Sequence, residues 1–150
     1  MSEPGGPVVA PEDADKVAVV LAAELAPGPA ANIAACLAAG LAAATPGWAG
    51  RELVDGAGLA SVASSHVPIT ILRATADTMQ ALMQRLAAPA RAHGCTLSLF
   101  PAYAQAMHDG DAYGERHAAS VHTDEVMLGI GLHGPKRSVN RLTGSLPLWR

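Results

Sequence analysis

The sequence predicts an α/β protein: a three-layer α/β/α domain with a mixed, mostly parallel sheet of about four strands. The chain has 150 residues, the length of one ordinary domain with one hydrophobic core. Half of its residues are hydrophobic and 15% are charged, so it is too apolar for a disordered protein. Short runs rich in Val, Ile and Leu alternate with helical patterns, which favours strands covered by helices.

The chain starts this alternation with a strand, a turn and a helix. Residues 16–23 form a continuous apolar run with three valines, which is typical of a strand buried on both faces. The Pro-Gly-Pro sequence at residues 27–29 predicts a turn, and residues 30–44, mostly alanine, predict a helix. A strand, a turn and a helix in this order are half of a βαβ unit.

A second helix has the clearest periodicity. Within residues 75–92, Met79, Leu82, Met83 and Leu86 recur at the spacing of the buried face of an amphipathic helix. The other predicted elements are strands at residues 52–54, 67–72, 96–100 and 126–132, short helices around 103–107 and 112–119, a last helix at 136–142, and an extended segment at 146–149.

The charge of the chain is unevenly distributed. The formal net charge is −3, but residues 1–15 contain four acids and no Lys or Arg. We expect this segment to be a flexible acidic tail ahead of a single domain at residues 16–150. The domain has no overall basic field and the chain is only 3% aromatic, so general nucleic-acid binding is not expected.

Two further patterns concern localisation and redox state. The most hydrophobic stretch, residues 30–44, is shorter than the roughly 20 residues that a bilayer span needs, and no basic segment precedes an apolar run at the N-terminus. Cys36 and Cys95 match neither a disulfide framework nor a zinc knuckle, and Cys36, among alanines, is expected in the core. We therefore expect a cytoplasmic protein with no membrane contact.

The C-terminal region holds a candidate anion site. The last predicted helix begins with Lys136 and Arg137. First-turn amides of a helix are free donors that bind anions, and two cations beside them would add to that attraction. Residues 129–134 match G-x-G-x-x-G, but no acid follows Glu125, so a dinucleotide cofactor is not expected.

Histidines and acids are concentrated in one polar stretch. His108, His117 and His122 lie there together with Asp109 and Asp111. Their spacing matches no zinc motif such as H-E-x-x-H. We therefore expect no metal and interpret the histidines of the chain as surface residues.

The C-terminal run carries a resemblance to a known family. Residues 129–150 read Gly-Ile-Gly-Leu-His-Gly-Pro-Lys-Arg-Ser-Val-Asn-Arg-Leu-Thr-Gly-Ser-Leu-Pro-Leu-Trp-Arg. This run resembles the uncharacterised domain-of-unknown-function family numbered two thousand, which is similar in fold to type II peptidyl-tRNA hydrolases. The resemblance extends over residues 16–150. It implies the hydrolase fold, and those hydrolases cleave the ester between a peptide and tRNA.

The reactive groups of the hydrolases are not matched here. The hydrolases carry Gly-Lys-Gly-Lys, then a glutamine and a histidine, where this chain has residues 27–35 without a lysine. Asn32 stands near the glutamine, and Ala35 stands near the histidine. Residues 99–105 lack the acid and the threonine of those enzymes. Since ester hydrolysis needs groups that stabilise charge and move protons, we expect the fold to carry over without the activity.

The sequence therefore predicts a protein that binds a small polar or anionic ligand. The crevice of an α/β sheet lies at the strand ends, and its candidate lining residues are Asn32, Gln105, Lys136 and Arg137. Two other function classes stay open. One is a hydrolase acting on peptidyl-tRNA or another acyl ester, with tRNA as a partner. The other is a structural homodimer that acts through protein partners, and the alanine-rich helix and low charge favour such self-association.

Overall fold

The computed structural model describes residues 14–45, 47–88 and 94–150. Most of the predicted tail, and the predicted end of the second helix, lie outside the described residues. Asp15, assigned to the tail from the sequence, belongs to the first strand, where it pairs with Pro135. The elements in chain order are β1 (Asp15–Ala22), α1 (Pro27–Ala44), β2 (Glu52–Val54), β3 (Ala60–Val62), β4 (Ile69–Ala74), α2 (Ala76–Ala87), β5 (Thr96–Pro101), a 3-10 helix (Ala102–Ala106), α3 (Gly110–Ala118), β6 (Met127–Pro135) and α4 (Lys136–Thr143).

Four strands form one mixed sheet in the order β4-β1-β6-β5. β1 and β4 are parallel, whereas β6 is antiparallel to both of its neighbours. The predicted mixed sheet of about four strands is confirmed. Two of its three strand pairings are antiparallel, so the prediction of a mostly parallel sheet is wrong. The segment between β5 and β6 contains the two predicted short helices but is not a crossover. It begins and ends at the same end of the strands, where Pro101 pairs with Met127, so β6 runs antiparallel to β5.

α1 covers one face of the sheet. Its buried residues Ile33, Leu37 and Leu41 pack in one cluster with Val19 of β1. The turn expected at residues 27–29 is instead the first turn of α1, where a proline needs no N–H and has a suitable φ. α1 is long and apolar enough to span a membrane by length and composition, but here its large side chains Ile33, Leu37 and Leu41 are buried against the sheet.

α2 and α4 cover the other face of the sheet. Thr75 caps α2, its hydroxyl oxygen accepting a hydrogen bond from the Thr78 N–H. The four apolar residues predicted on the buried face of α2 are all buried. They share one cluster with Ile130 and Leu132 of β6 and Val139 of α4, so the predicted face is confirmed.

Two peripheral segments complete the description. β2 matches the predicted short strand and pairs with β3, which was not predicted, in a hairpin whose strands are exposed. Leu148 pairs with Leu72 of β4, which confirms the extended segment predicted near the C-terminus. The edge of the main sheet at β4 is therefore partly covered by the chain itself.

Candidate functional site

The carboxyl ends of β1 and β5 lie at the same end of the sheet. Leu21 of β1 and Phe100 of β5 pair with the same residue of β6, Gly129, from its two sides. α1 follows β1 after a short loop, and the 3-10 helix follows β5 directly. The sheet therefore brings the N-terminal half of α1 next to the 3-10 helix.

Between these two helices lies a cavity of about 490 Å³, which we call the amide cavity. Asn32 of α1 and Gln105 of the 3-10 helix both line it, and both residues are exposed. The cavity combines hydrogen-bonding side chains with apolar walls. Its other lining residues are Gly28, Pro29, Ile33, Cys36, Phe100, Ala104, Met107 and His108.

The start of α1 offers a single free backbone donor to the amide cavity. Pro27 and Pro29 have no N–H, and the Ala30 N–H donates to the Ala26 carbonyl at 3.0 Å. The Gly28 N–H is the remaining donor of the first turn, and Ala26 supplies no side-chain cap. Anion binding at a helix start depends on several such donors. This helix start is therefore a weak anion site.

Cys36 lies on the same face of α1 as Asn32, one helical turn further along. It is exposed, and it lines both the amide cavity and an adjoining cavity of about 250 Å³. The prediction of a core thiol is wrong, because Ile33 and Leu37 face the sheet and Cys36 does not. The alanines around Cys36 gave no sign of which face would be buried. His108, expected at the surface, is exposed and also lines the amide cavity.

Lys136 and Arg137 lie at the other end of the sheet. β6 has nine residues, and at about 3.3 Å per residue it separates the two ends by roughly 25 Å. The Lys136 N–H, the first of α4, already donates to the Ala14 carbonyl at 2.8 Å. The structure therefore brings Asn32 and Gln105 together and leaves Lys136 and Arg137 apart from them.

An aromatic and imidazole cluster holds the segment between β5 and β6. Tyr103 Oη lies 2.7 Å from His122 Nε2, and the His122 ring stacks on His117 with centroids 4.0 Å apart. The Arg116 guanidinium lies 4.2 Å from the centre of the Tyr103 ring and pairs with Glu125 at 3.2 Å. Burial, and then the nearby His117, lower the pKa of His122. These contacts tie α3 to the 3-10 helix and fix one wall of the amide cavity.

His133 is buried at the end of the sheet opposite the amide cavity. It is 3% exposed, and its Nε2 lies 3.1 Å from Asp15 Oδ2, without the alignment of a hydrogen bond. Trp48 Nε1, whose ring centre is 5.6 Å from that of His133, is buried with no hydrogen-bond partner in the described chain. The expectation of surface histidines is wrong for His133. Within the described residues, no three His, Cys, Asp or Glu side chains converge as metal ligands.

These features define a mixed α/β domain with a ligand-sized cavity at the ends of β1 and β5. Residues 15–150 match the model of the family described as "Protein of unknown function (DUF2000)", and the chain belongs to that family. The resemblance seen in the C-terminal run is confirmed to that extent.

A solved structure provides a second comparison. The structure of a protein of unknown function from Agrobacterium tumefaciens is 25% identical in sequence, with a TM-score of 0.78. The match covers 89% of this chain and 96% of that chain, so the two proteins share the whole domain. No curated protein matches the chain.

Proposed function

We propose that this protein binds a small polar ligand in the amide cavity through the side chains of Asn32 and Gln105. The supporting observation is that these two carboxamides, distant in sequence, line one cavity of about 490 Å³. Small-molecule sites have volumes of roughly 300–1,000 Å³. Each carboxamide has two N–H donors and a carbonyl acceptor, so the pair suits a ligand that both donates and accepts, such as an amide.

The charge of the cavity lining narrows the ligand class. Its residues include no Asp, Glu, Lys or Arg. A phosphate would lose its hydration there without gaining a fixed counter-charge, which is costly. An amide has no charge to desolvate, and a single carboxylate carries less negative charge than a phosphate. The proposed ligand is therefore neutral or singly charged, and Lys136 and Arg137 are not part of its site.

We also propose that the domain has the three-layer α/β/α fold of type II peptidyl-tRNA hydrolases. Helices on both faces of the sheet support this, as does a helix that starts just after β1. In this proposal the hydrolase activity is absent. The amide cavity has neither a lysine nor a carboxylate among its lining residues, and α1 has Ala35 near the position of the hydrolase histidine.

One observation favours a second candidate, a hydrolase for acyl esters. Cys36 and His108, a thiol and an imidazole, line the same cavity as the two carboxamides. The Cys36 thiolate would attack the ester carbonyl, with its proton passing through His108 to the departing alcohol. Water would then hydrolyse the thioester. A carboxamide would donate to the oxyanion formed in each step.

A third candidate is a homodimer that acts through protein partners. The β2–β3 hairpin exposes Val54, Leu59 and Val62 to 70%, 68% and 66%. An isolated two-stranded hairpin is marginal in water, so coverage by a second copy would stabilise it. Light scattering of the wild type against the double variant Val54→Ser with Val62→Ser tests this. A dimer in the wild type and a monomer in the variant support it, and a wild-type monomer contradicts it.

NMR titration with N-acetylglycinamide, which has two amide groups, tests the ligand-binding proposal. We expect the amide resonances of residues 28–36 and 102–108 to shift. Asn32→Ala and Gln105→Ala should each weaken binding about five- to tenfold, since a hydrogen bond contributes about 1 kcal/mol. Gln84→Ala, which removes an exposed carboxamide from α2, is the matched control and should bind as the wild type does.

Two results would overturn the ligand-binding proposal. The first is the absence of shifts around the amide cavity, and the second is equal affinity of the wild type and Asn32→Ala. Turnover of p-nitrophenyl acetate or peptidyl-tRNA measures the second candidate. Turnover that is lost in Cys36→Ala and kept in Cys95→Ala would favour the hydrolase over a binding protein.

A further inference from the structure

We propose a second ligand site, for a small organic cation with an apolar body, in a different cavity from the one described above. This cavity has a volume of about 480 Å³ and lies where β1 and β4, the parallel pair, reach their carboxyl ends. The loop after β1, the first turns of α2 and the segment leading into β6 form its walls. Ligands of α/β sheets bind in crevices outside the carboxyl ends of the strands. We call it the methionine cavity.

The floor of the methionine cavity is apolar and adaptable. Met79 and Met83 of α2 and Met127 of β6 line it, and each is buried at 5% exposure or less. Leu25 adds to the wall, and Val126 lines the cavity while 67% exposed. Methionine side chains are flexible and polarisable, so they adjust to ligands of different shape. The floor therefore suits an alkyl chain or an aromatic ring.

The rim of the cavity has one sign of charge. Glu24, Asp77, Asp124 and Glu125 all line it, and its residues include no Lys, Arg or His. Arg116 pairs with Glu125 at 3.2 Å, whereas the other three carboxylates form no salt bridge within the described residues. An apolar cavity with low-dielectric walls and one sign of charge focuses the field and attracts the opposite charge. This charge complementarity indicates an ammonium or guanidinium group as the polar end of the ligand.

Three probes of nearly equal shape separate the effect of charge from that of the apolar body. They are phenethylamine (a cation), 2-phenylethanol (neutral) and 3-phenylpropanoate (an anion), each titrated by NMR. We expect phenethylamine to shift resonances of residues 76–83 and 123–128 and to bind at least about fivefold more tightly than 2-phenylethanol. The anion should bind more weakly than either. Added salt should reduce the advantage of the cation, since rim charges are screened.

A variant of the cavity rim and a control variant outside the cavity locate the effect. The double variant Glu24→Gln with Asp124→Asn should reduce the advantage of phenethylamine to less than about twofold and leave 2-phenylethanol binding unchanged. Glu52→Gln, an exposed acid on the β2–β3 hairpin, changes the net charge without touching the cavity and should have no effect. Equal binding of the cation and the neutral probe, no binding of the cation, or an equal effect of Glu52→Gln would overturn the proposal. The shifted residues differ from those of the amide cavity, so each site can fail without the other.

Discussion

Replacing Gly129 with alanine tests how the core positions the amide cavity. Gly129 lies in β6 and faces α1. A Cβ atom there would lie 2.7 Å from Ile33 Cγ2 and 2.8 Å from Leu37 Cδ1, well inside van der Waals contact. Ile33 is β-branched and has one strongly preferred rotamer in a helix. The added methyl group therefore pushes α1 away from the sheet rather than finding space.

The size of this effect follows from the cost of overpacking. An extra methyl group in a well-packed core costs about 1–3 kcal/mol. For a domain of this length, a loss of about 2 kcal/mol lowers the Tm by roughly 6 °C. The same shift of α1 moves Asn32 relative to Gln105, so the variant should also bind N-acetylglycinamide more weakly than the wild type.

Urea unfolding followed by circular dichroism measures the predicted loss. Gly114→Ala is the matched control, because a Cβ at Gly114 in α3 would meet no atom within 4 Å. That change should stabilise the protein by about 0.5–1 kcal/mol, the difference in helix propensity. If Gly129→Ala were as stable as the wild type, α1 would not be packed on Gly129 as described, and the reasoning would be refuted.

Three further predictions concern single contacts. The lowered pKa of His122 means that the unfolded chain binds more protons just below the ordinary histidine pKa of about 6.5. The free energy of unfolding should therefore fall as the pH drops through that range, and fall less in His122→Gln, as measured by urea unfolding at several pH values. Asp15→Ala removes the carboxylate that lies 3.1 Å from the buried His133 and should cost at most about 1 kcal/mol in urea unfolding, because this half-exposed carboxylate is not aligned as a hydrogen-bond acceptor, whereas a loss above about 2 kcal/mol would contradict that description. Thr75→Ala removes the cap of α2 and should cost about 1 kcal/mol, and a loss below about 0.3 kcal/mol would contradict that role.

Local pattern was enough to predict most of the elements of the fold. The spacing of Met79, Leu82, Met83 and Leu86 marked α2 and its buried face, because apolar residues that recur with the 3.6-residue period of a helix line up on one side of it. The direction of β6 was not predictable in this way. A strand buried on both faces has the same apolar pattern whichever way it runs, so only its pairing with β1 and β5 fixes the direction.

The candidate site was only partly predictable, because the position of its residues depends on the directions of the strands that they follow. Asn32 and Gln105 follow β1 and β5, which run in the same direction, so the strand-end rule brings them together. Lys136 follows β6, whose carboxyl end lies at the opposite end of the sheet because β6 is antiparallel to β1 and β5. Cys36 could not be assigned to a face, since the alanines of α1 make the helix almost equally apolar on all sides.

A crystal structure of the protein grown with N-acetylglycinamide tests the central claim most directly. The account predicts ligand density in the amide cavity, with polar atoms within hydrogen-bond distance of the carboxamides of Asn32 and Gln105. Density at another place on the protein, or an amide cavity that holds only solvent at saturating ligand, would contradict it.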